Sequence, residues 1–228
     1  VKDGHVVVEE GACVNELSIP ATATGDSVSV SIKTGSVVNT AVVDDTTATV
    51  EIVSGAKVSL IVGETTKISG SGASEAKENA VAKTTVGTFN ELVEKIAESN
   101  CKYIVLTANI TATEALTIER DVIIDGAGFQ LIAEDFTAKD ARAINIGLNN
   151  WNTVAPAIKV TIKNLEVKGP TSEYSRGVNI WNANTTVNLF DSNVTAGYYA
   201  INITSSGKNT KFWIDRIRMG STEYMGFL

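Results

Sequence analysis

ARAINIG (residues 141–147), SRGVNIW (175–181) and YYAINIT (198–204) repeat one phrase, in which Ile144, Val178 and Ile201 are each followed by asparagine and isoleucine. After each copy come a polar loop and a second alternating stretch: KVTIKNLEVKG from Lys159, TVNLFDSNVTAG from Thr186 and KFWIDRIRMGS from Lys211. Asn145, Asn179 and Asn202 step by 34 and 23 residues, and Val160, Val187 and Phe212 by 27 and 25. A two-strand unit that returns every 20 to 30 residues or so is one coil of a solenoid. Stacked coils pair each strand with its equivalent one repeat on, so the sheets are parallel and the three asparagines lie above one another. Lys163-Asn164, Phe190-Asp191 and Asp215-Arg216 then fall in one slot of successive coils.

Upstream, residues 5–70 carry a repeat of their own: HVVVEEGACVNELSI from His5, VSVSIKTGSVVNTAVV from Val28 and ATVEIVSGAKVSLIV from Ala48. Each is strand, turn, strand, with Gly11, Gly35 and Gly55 at the turns, where glycine tolerates positive φ. Period-2 alternation sends Val6, Val8, Val30, Ile32, Val50 and Ile52 to one face. Residues 69–86, SGSGASEAKENAVAKTTV, break this pattern and read as a last coil or a connector. Residues 88–99 read as a helix. Thr88 and Glu91 form a capping box, Phe89, Leu92, Val93, Ile96 and Ala97 form an apolar stripe, and Asn100 is the expected left-handed C-cap. One amphipathic helix is an economical lid for the open end of a solenoid. The expected fold is thus an all-β parallel β-helix, with coils at 1–70, a connector at 71–86, and a second set of coils at 87–228 opened by the 88–99 helix.

Composition narrows the function classes. Apolar residues make up 43% of the 228, which argues against wholesale disorder. The formal charge is −7; residues 1–86 hold 6 Lys against 11 Asp or Glu, and residues 87–228 hold 13 Lys or Arg against 15. Neither half suits a nucleic-acid backbone. No apolar run is long enough to span a bilayer. Cys13 and Cys101 fit no metal or redox spacing and read as two unlinked thiols. His5 is the sole histidine, which leaves no histidine-based triad or metal site. Asp44-Asp45, the one adjacent carboxylate pair, reads as a solvated turn. No catalytic residue, metal ligand or cofactor site is expected.

Aromatic residues crowd the second half: Trp151, Trp181, Trp213, Tyr174, Tyr198, Tyr199 and Tyr224 all follow residue 150. Trp151 sits between Asn150 and Asn152, and Trp181 precedes Asn182. A ring face beside amide donors can stack on and hydrogen-bond a sugar. The candidate ligand residues are Trp151, Trp181, Tyr174, Tyr198, Asn150 and Asn152, with packing at coil corners as the alternative.

Gly87 to Ala133, with its helix, first coil and IDGAG turn, resembles the entry to right-handed parallel β-helices of the pectate-lyase-like superfamily. The glycine turns of residues 5–63 resemble the valine- and threonine-rich coils of S-layer-associated cell-surface proteins of anaerobic Gram-positive bacteria. FWIDRIRMG, from Phe212, superficially resembles the WIDH signature of one pectate lyase family, with Arg216 standing where that family has histidine. These are packing motifs and specify fold better than activity. What they imply is a secreted or cell-surface module of a larger bacterial protein, acting as adhesin or stalk and touching a polysaccharide or cell-wall glycan. The alternative is a polysaccharide lyase with Arg216 or Arg176 as base.

Overall fold

A computed structural model describes residues 4–21, 28–65, 67–148 and 156–227, with 225–227 as backbone only. Asn150, Trp151 and Asn152 lie outside the described residues. The chain forms two compact units, residues 1–83 and 84–228.

In the first unit the coils have two faces. One sheet stacks Gly4–Val8, Val28–Ile32, Thr49–Ile52 and Ile68–Ser69; the other stacks Cys13–Ile19, Val37–Val43, Ile61–Gly63 and Ala80–Val81, with Lys57–Val58 also on Val37–Val43. Every pair is parallel, and the register Val6, Val30, Val50, Ile68 builds the core as a column. Gly11, Gly35 and Gly55 all have positive φ, as their turns require. At Gly70, φ +97, an added Cβ would sit 2.4 Å from the Ile52 carbonyl oxygen, so backbone meets backbone there. A helix, Ala73–Glu78, follows with Gly72 at its start and no side-chain cap, which is why neither capping nor periodicity announces it. Asp45 corrects the expectation of two solvated carboxylates: it is 3% exposed and accepts from the Thr47 N–H at 2.8 Å and hydroxyl at 2.7 Å. Its neighbour Asp44 takes Lys83 at 2.6 Å. Cys13 and Cys101 are free thiols.

In the second unit the coils have three faces. The first sheet runs Thr84–Val86, Tyr103–Leu106, Val122–Asp125, Lys159–Lys163, Thr186–Phe190, Lys211–Asp215. The second runs Ile110–Thr111, Gln130–Ile132, Glu166–Lys168, Asn193–Ala196, Arg218–Ser221. The third runs Leu116–Ile118, Arg142–Ile146, Arg176–Ile180, Tyr199–Ile203, Met225–Phe227. All pairs are parallel, and the columns Ile124, Ile162, Leu189 and Leu131, Val167, Val194 are essentially dry. Asn145, Asn179 and Asn202 do stack, and so do Val160, Val187 and Phe212. Asn179 and Asn202 are buried, with the Asn202 amide donating to Asn179 at 2.6 Å. The shared slot also holds: Asn164, Asp191 and Arg216 all adopt positive φ at one coil corner, at 49°, 46° and 49°.

The helix spans Phe89–Ala97 with both halves of its capping box made. Phe89, Leu92 and Ile96 are buried against Val86 and Leu116, but Val93 is 38% exposed and Ala97 is exposed, so the apolar stripe is narrower than the sequence pattern implies. Asn100 does not cap it. The turn ends at Glu98 in extended backbone, and the Arg120 guanidinium donates to the Lys95, Ile96 and Cys101 carbonyls at 2.8, 2.5 and 2.7 Å. The Lys95 and Ile96 carbonyls are among those a helix end leaves without partners, and Cys101 lies just past the cap.

Candidate functional site

Register makes the aromatic site. Arg142, Arg176, Tyr199 and Met225 occupy one slot of the third sheet, so the residues just before them, Ala141, Ser175, Tyr198 and Tyr224, occupy the next. Tyr198 and Tyr224 therefore lie one coil apart, with ring centroids at 4.9 Å and planes within 6°. That separation is close to the strand spacing of about 4.8 Å, so the backbone repeat dictates the ring stack. Tyr174 meets Tyr198 edge-on at 4.8 Å, and Tyr199 closes the group on Tyr198 and Tyr224 at 5.0 and 5.5 Å. Each such contact is worth roughly 0.5–1.5 kcal/mol beyond its burial.

Tyr174 reaches this position through a left-handed backbone, φ 57, unusual for so bulky a residue. Arg176 donates to the Tyr174 carbonyl at 3.0 Å, and the Ser175 N–H to Ser172 at 3.0 Å. These bonds hold the bend. Lys139 lies 4.6 Å from the Tyr174 ring centre and 3.1 Å from Glu173. Asp140 accepts from Arg142 at 2.6 Å and from Arg176 as well, so two guanidiniums from adjacent coils share one carboxylate. Arg142 covers the Trp181 ring and Arg176 the Tyr199 ring. Burial of the Tyr198 hydroxyl, then the nearby Tyr174, Tyr199, Tyr224 and Glu173, push its pKa up. At the outer edge Tyr174 is 38% and Tyr224 59% exposed.

Of the residues singled out from sequence, the structure brings Tyr174 and Tyr198 together and leaves Trp181 out. Trp181 is 5% exposed and its indole N–H donates to Asn145 at 3.0 Å, so it packs a coil instead of offering a face to a sugar. Trp213 stands on the last strand of the first sheet, 57% exposed and outside the tyrosine group. Sequence reasoning left Tyr224, Lys139 and Glu173 out of the candidate set. Tyr174, Tyr198 and Tyr224 recur at 24 and 26 residues, one coil each, and that spacing was the available signal.

A second concavity, about 740 Å³, lies where the first sheet turns into the second. One wall is the positive-φ row Asn164, Asp191, Arg216; the other is the strand row Glu166, Asn193, Arg218. Arg216 clamps Asp191 through Nε at 2.5 Å and Nη2 at 2.8 Å and also donates to Asp215. The hydrogen bond and charge of Asp191, then Asp215, raise the Arg216 pKa above its ordinary value. A lyase base must give up its proton; this surrounding holds it on. Among the described residues no three His, Cys, Asp or Glu side chains converge as metal ligands, and no helix is long and apolar enough to cross a membrane.

The sequence profile of the family described as "Putative pectate lyase-like adhesive domain" matches residues 83–228. No curated protein and no solved structure matches the chain. With more than half of its length matched, and with parallel coils, a lid helix and positive-φ corners over that span, the chain belongs to the pectate lyase-like adhesive domain family.

Proposed function

We propose that the 84–228 solenoid is a non-catalytic adhesive module whose tyrosine corner holds a glycan, displayed on a bacterial cell surface as part of a larger protein. The family description supports adhesion. The glycan is inferred from the residues, and the location and the larger protein from the resemblance to cell-surface proteins. The observation that carries the glycan is the stacked Tyr198–Tyr224 pair with its outer ring exposed. The apolar face of a pyranose stacks on such a ring, while Lys139, Glu173 and the phenol hydroxyls supply donors and acceptors for sugar hydroxyls. Trp151, Asn150 and Asn152 join this proposal on sequence grounds alone.

Affinity electrophoresis through gels holding single polysaccharides tests it. Tyr224→Ala and Tyr174→Ala should each weaken retardation about tenfold, roughly 1.4 kcal/mol, while Trp213→Ala leaves it unchanged. Trp151→Ala is the third informative variant. Equal retardation of the wild type and both tyrosine variants removes the corner from the account. A polysaccharide lyase with Arg216 or Arg176 as base is the competing reading; Asp191 and Asp215 hold the proton on Arg216, and Arg176 is tied to Asp140 and the Tyr174 carbonyl. An arginine-dependent unsaturated product from uronate polymers would reinstate it.

A further inference from the structure

The trough between the first and second sheets lies apart from the tyrosine corner, and its chemistry is of another kind. Glu166, Asn193 and Arg218 are register neighbours on three successive coils. Strand spacing of about 4.8 Å puts the first and last roughly 10 Å apart. Glu166 accepts from the Gln130 amide at 2.6 Å and from Asn193 at 3.5 Å, both neutral, and makes no ion pair among the described residues. Arg218 is exposed and makes no ion pair among the described residues. The facing wall differs, because Asp191 and Arg216 neutralise one another across it. Along one side of the trough, therefore, a negative end, an amide middle and a positive end follow in order. Ser192 and Leu165 line the trough between the two rows.

Backbone groups contribute little to recognition here. The N–H groups of Asn164, Asp191, Glu166, Asn193 and Arg218 all donate to carbonyls of neighbouring coils. A peptide strand would find no free main-chain edge to pair with, so a ligand is read by side chains alone. That favours a glycan over a peptide.

We propose that this trough is a second ligand site, independent of the tyrosine corner, for a glycan segment that carries both a free amino group and an acidic group. The amino group pairs with Glu166 and the acidic group with Arg218, while sugar hydroxyls meet Asn164 and Asn193. Direction along the solenoid axis is thereby fixed, because reversing the segment sets like charges together.

The test uses the full chain and four polymers: an N-acetylated chitin oligomer, chitosan, carboxymethyl dextran and O-carboxymethyl chitosan, which are neutral, cationic, anionic and zwitterionic. The zwitterionic polymer should bind tightest, by about three- to fivefold for each charge satisfied, with the advantage shrinking as salt is raised. Glu166→Gln should lose the preference for amino groups and Arg218→Gln the preference for carboxymethyl groups. Tyr224→Ala should lose neither, which separates this site from the tyrosine reading. Glu166→Gln keeps side-chain shape and Arg218→Gln shortens an exposed side chain, and unchanged thermal midpoints confirm the fold. Equal binding of the four polymers, or preferences that survive both substitutions, would overturn the proposal. So would residue-dependent binding of the peptide Ala-Glu-Lys-Ala with no glycan bound, which would make the ligand a peptide.

Discussion

Asp125 shows how much a single side chain can join on this scaffold. Its carboxylate accepts from Tyr103 Oη at 3.0 Å, Asn164 Nδ2 at 3.0 Å and the Ala127 N–H at 2.9 Å, and it pairs with Lys163 at 3.3 Å. Burial pushes its pKa up, but Asn164, Lys163, Ala127 and Tyr103 together outweigh burial and hold it below the ordinary 3.8. A depressed carboxylate stabilises the fold above its unfolded pKa and loses that contribution as pH falls through the folded value. Asp125→Asn should therefore destabilise the protein at pH 7, by about 3 kcal/mol because it removes one member of a buried ion pair. The variant should also show a shallower loss of stability below pH 3.8, where the wild type is shedding this term. Urea titrations from pH 2 to 7 measure both, and parallel curves for the two proteins would contradict it. Little of this was legible in the sequence, since Tyr103, Asp125 and Lys163 meet only once three coils are in register. Trp181 misled for the same reason: NIWNAN reads as an exposed ring among amides, but Arg142 and Asn145, one coil earlier, take its face and its N–H.

At the level of elements, what is local in sequence is what reading recovers. The Thr88–Glu91 capping box needs three residues' separation, and it is present with both bonds made. The other end of the same helix depends on Arg120, which arrives from the following coil. No short-range pattern announces it. Arg120→Ala strips three carbonyls of their donor and should cost about 2 kcal/mol, against about 1 kcal/mol for Thr88→Ala. The two substitutions affect opposite ends of one lid, so their effects should nearly add, as read from denaturation midpoints. A smaller loss for Arg120→Ala than for Thr88→Ala would refute the assigned cap. Corners follow the same logic. Glycine marks the two-faced coils of the first unit, at Gly11, Gly35 and Gly55, and these were readable. In the second unit Asn164, Asp191 and Arg216 make the left-handed turn instead, two of them residues that tolerate it and one an arginine held by Asp191 and Asp215. Without a glycine to punctuate it, that corner did not disclose a third face.

For the molecule as a whole, the repeat was the legible quantity and the site was its by-product. Spacings of 34, 23, 27 and 25 residues placed the strands in register correctly, because a parallel solenoid must bring equivalent residues together whatever the length of the loop between them. The same rule stacks Tyr198 on Tyr224 and lines up Glu166, Asn193 and Arg218, so both candidate ligand surfaces stand or fall with the stacking order. Paired cysteines on a Cys13→Ser background test that order most directly. Thr186→Cys with Lys211→Cys are register neighbours, at a separation a disulfide bridges; Lys159→Cys with Lys211→Cys are two coils apart, beyond its reach. Mild oxidation should close the first pair and leave the second as thiols; ready closure of the second pair, or failure of the first, contradicts the stack.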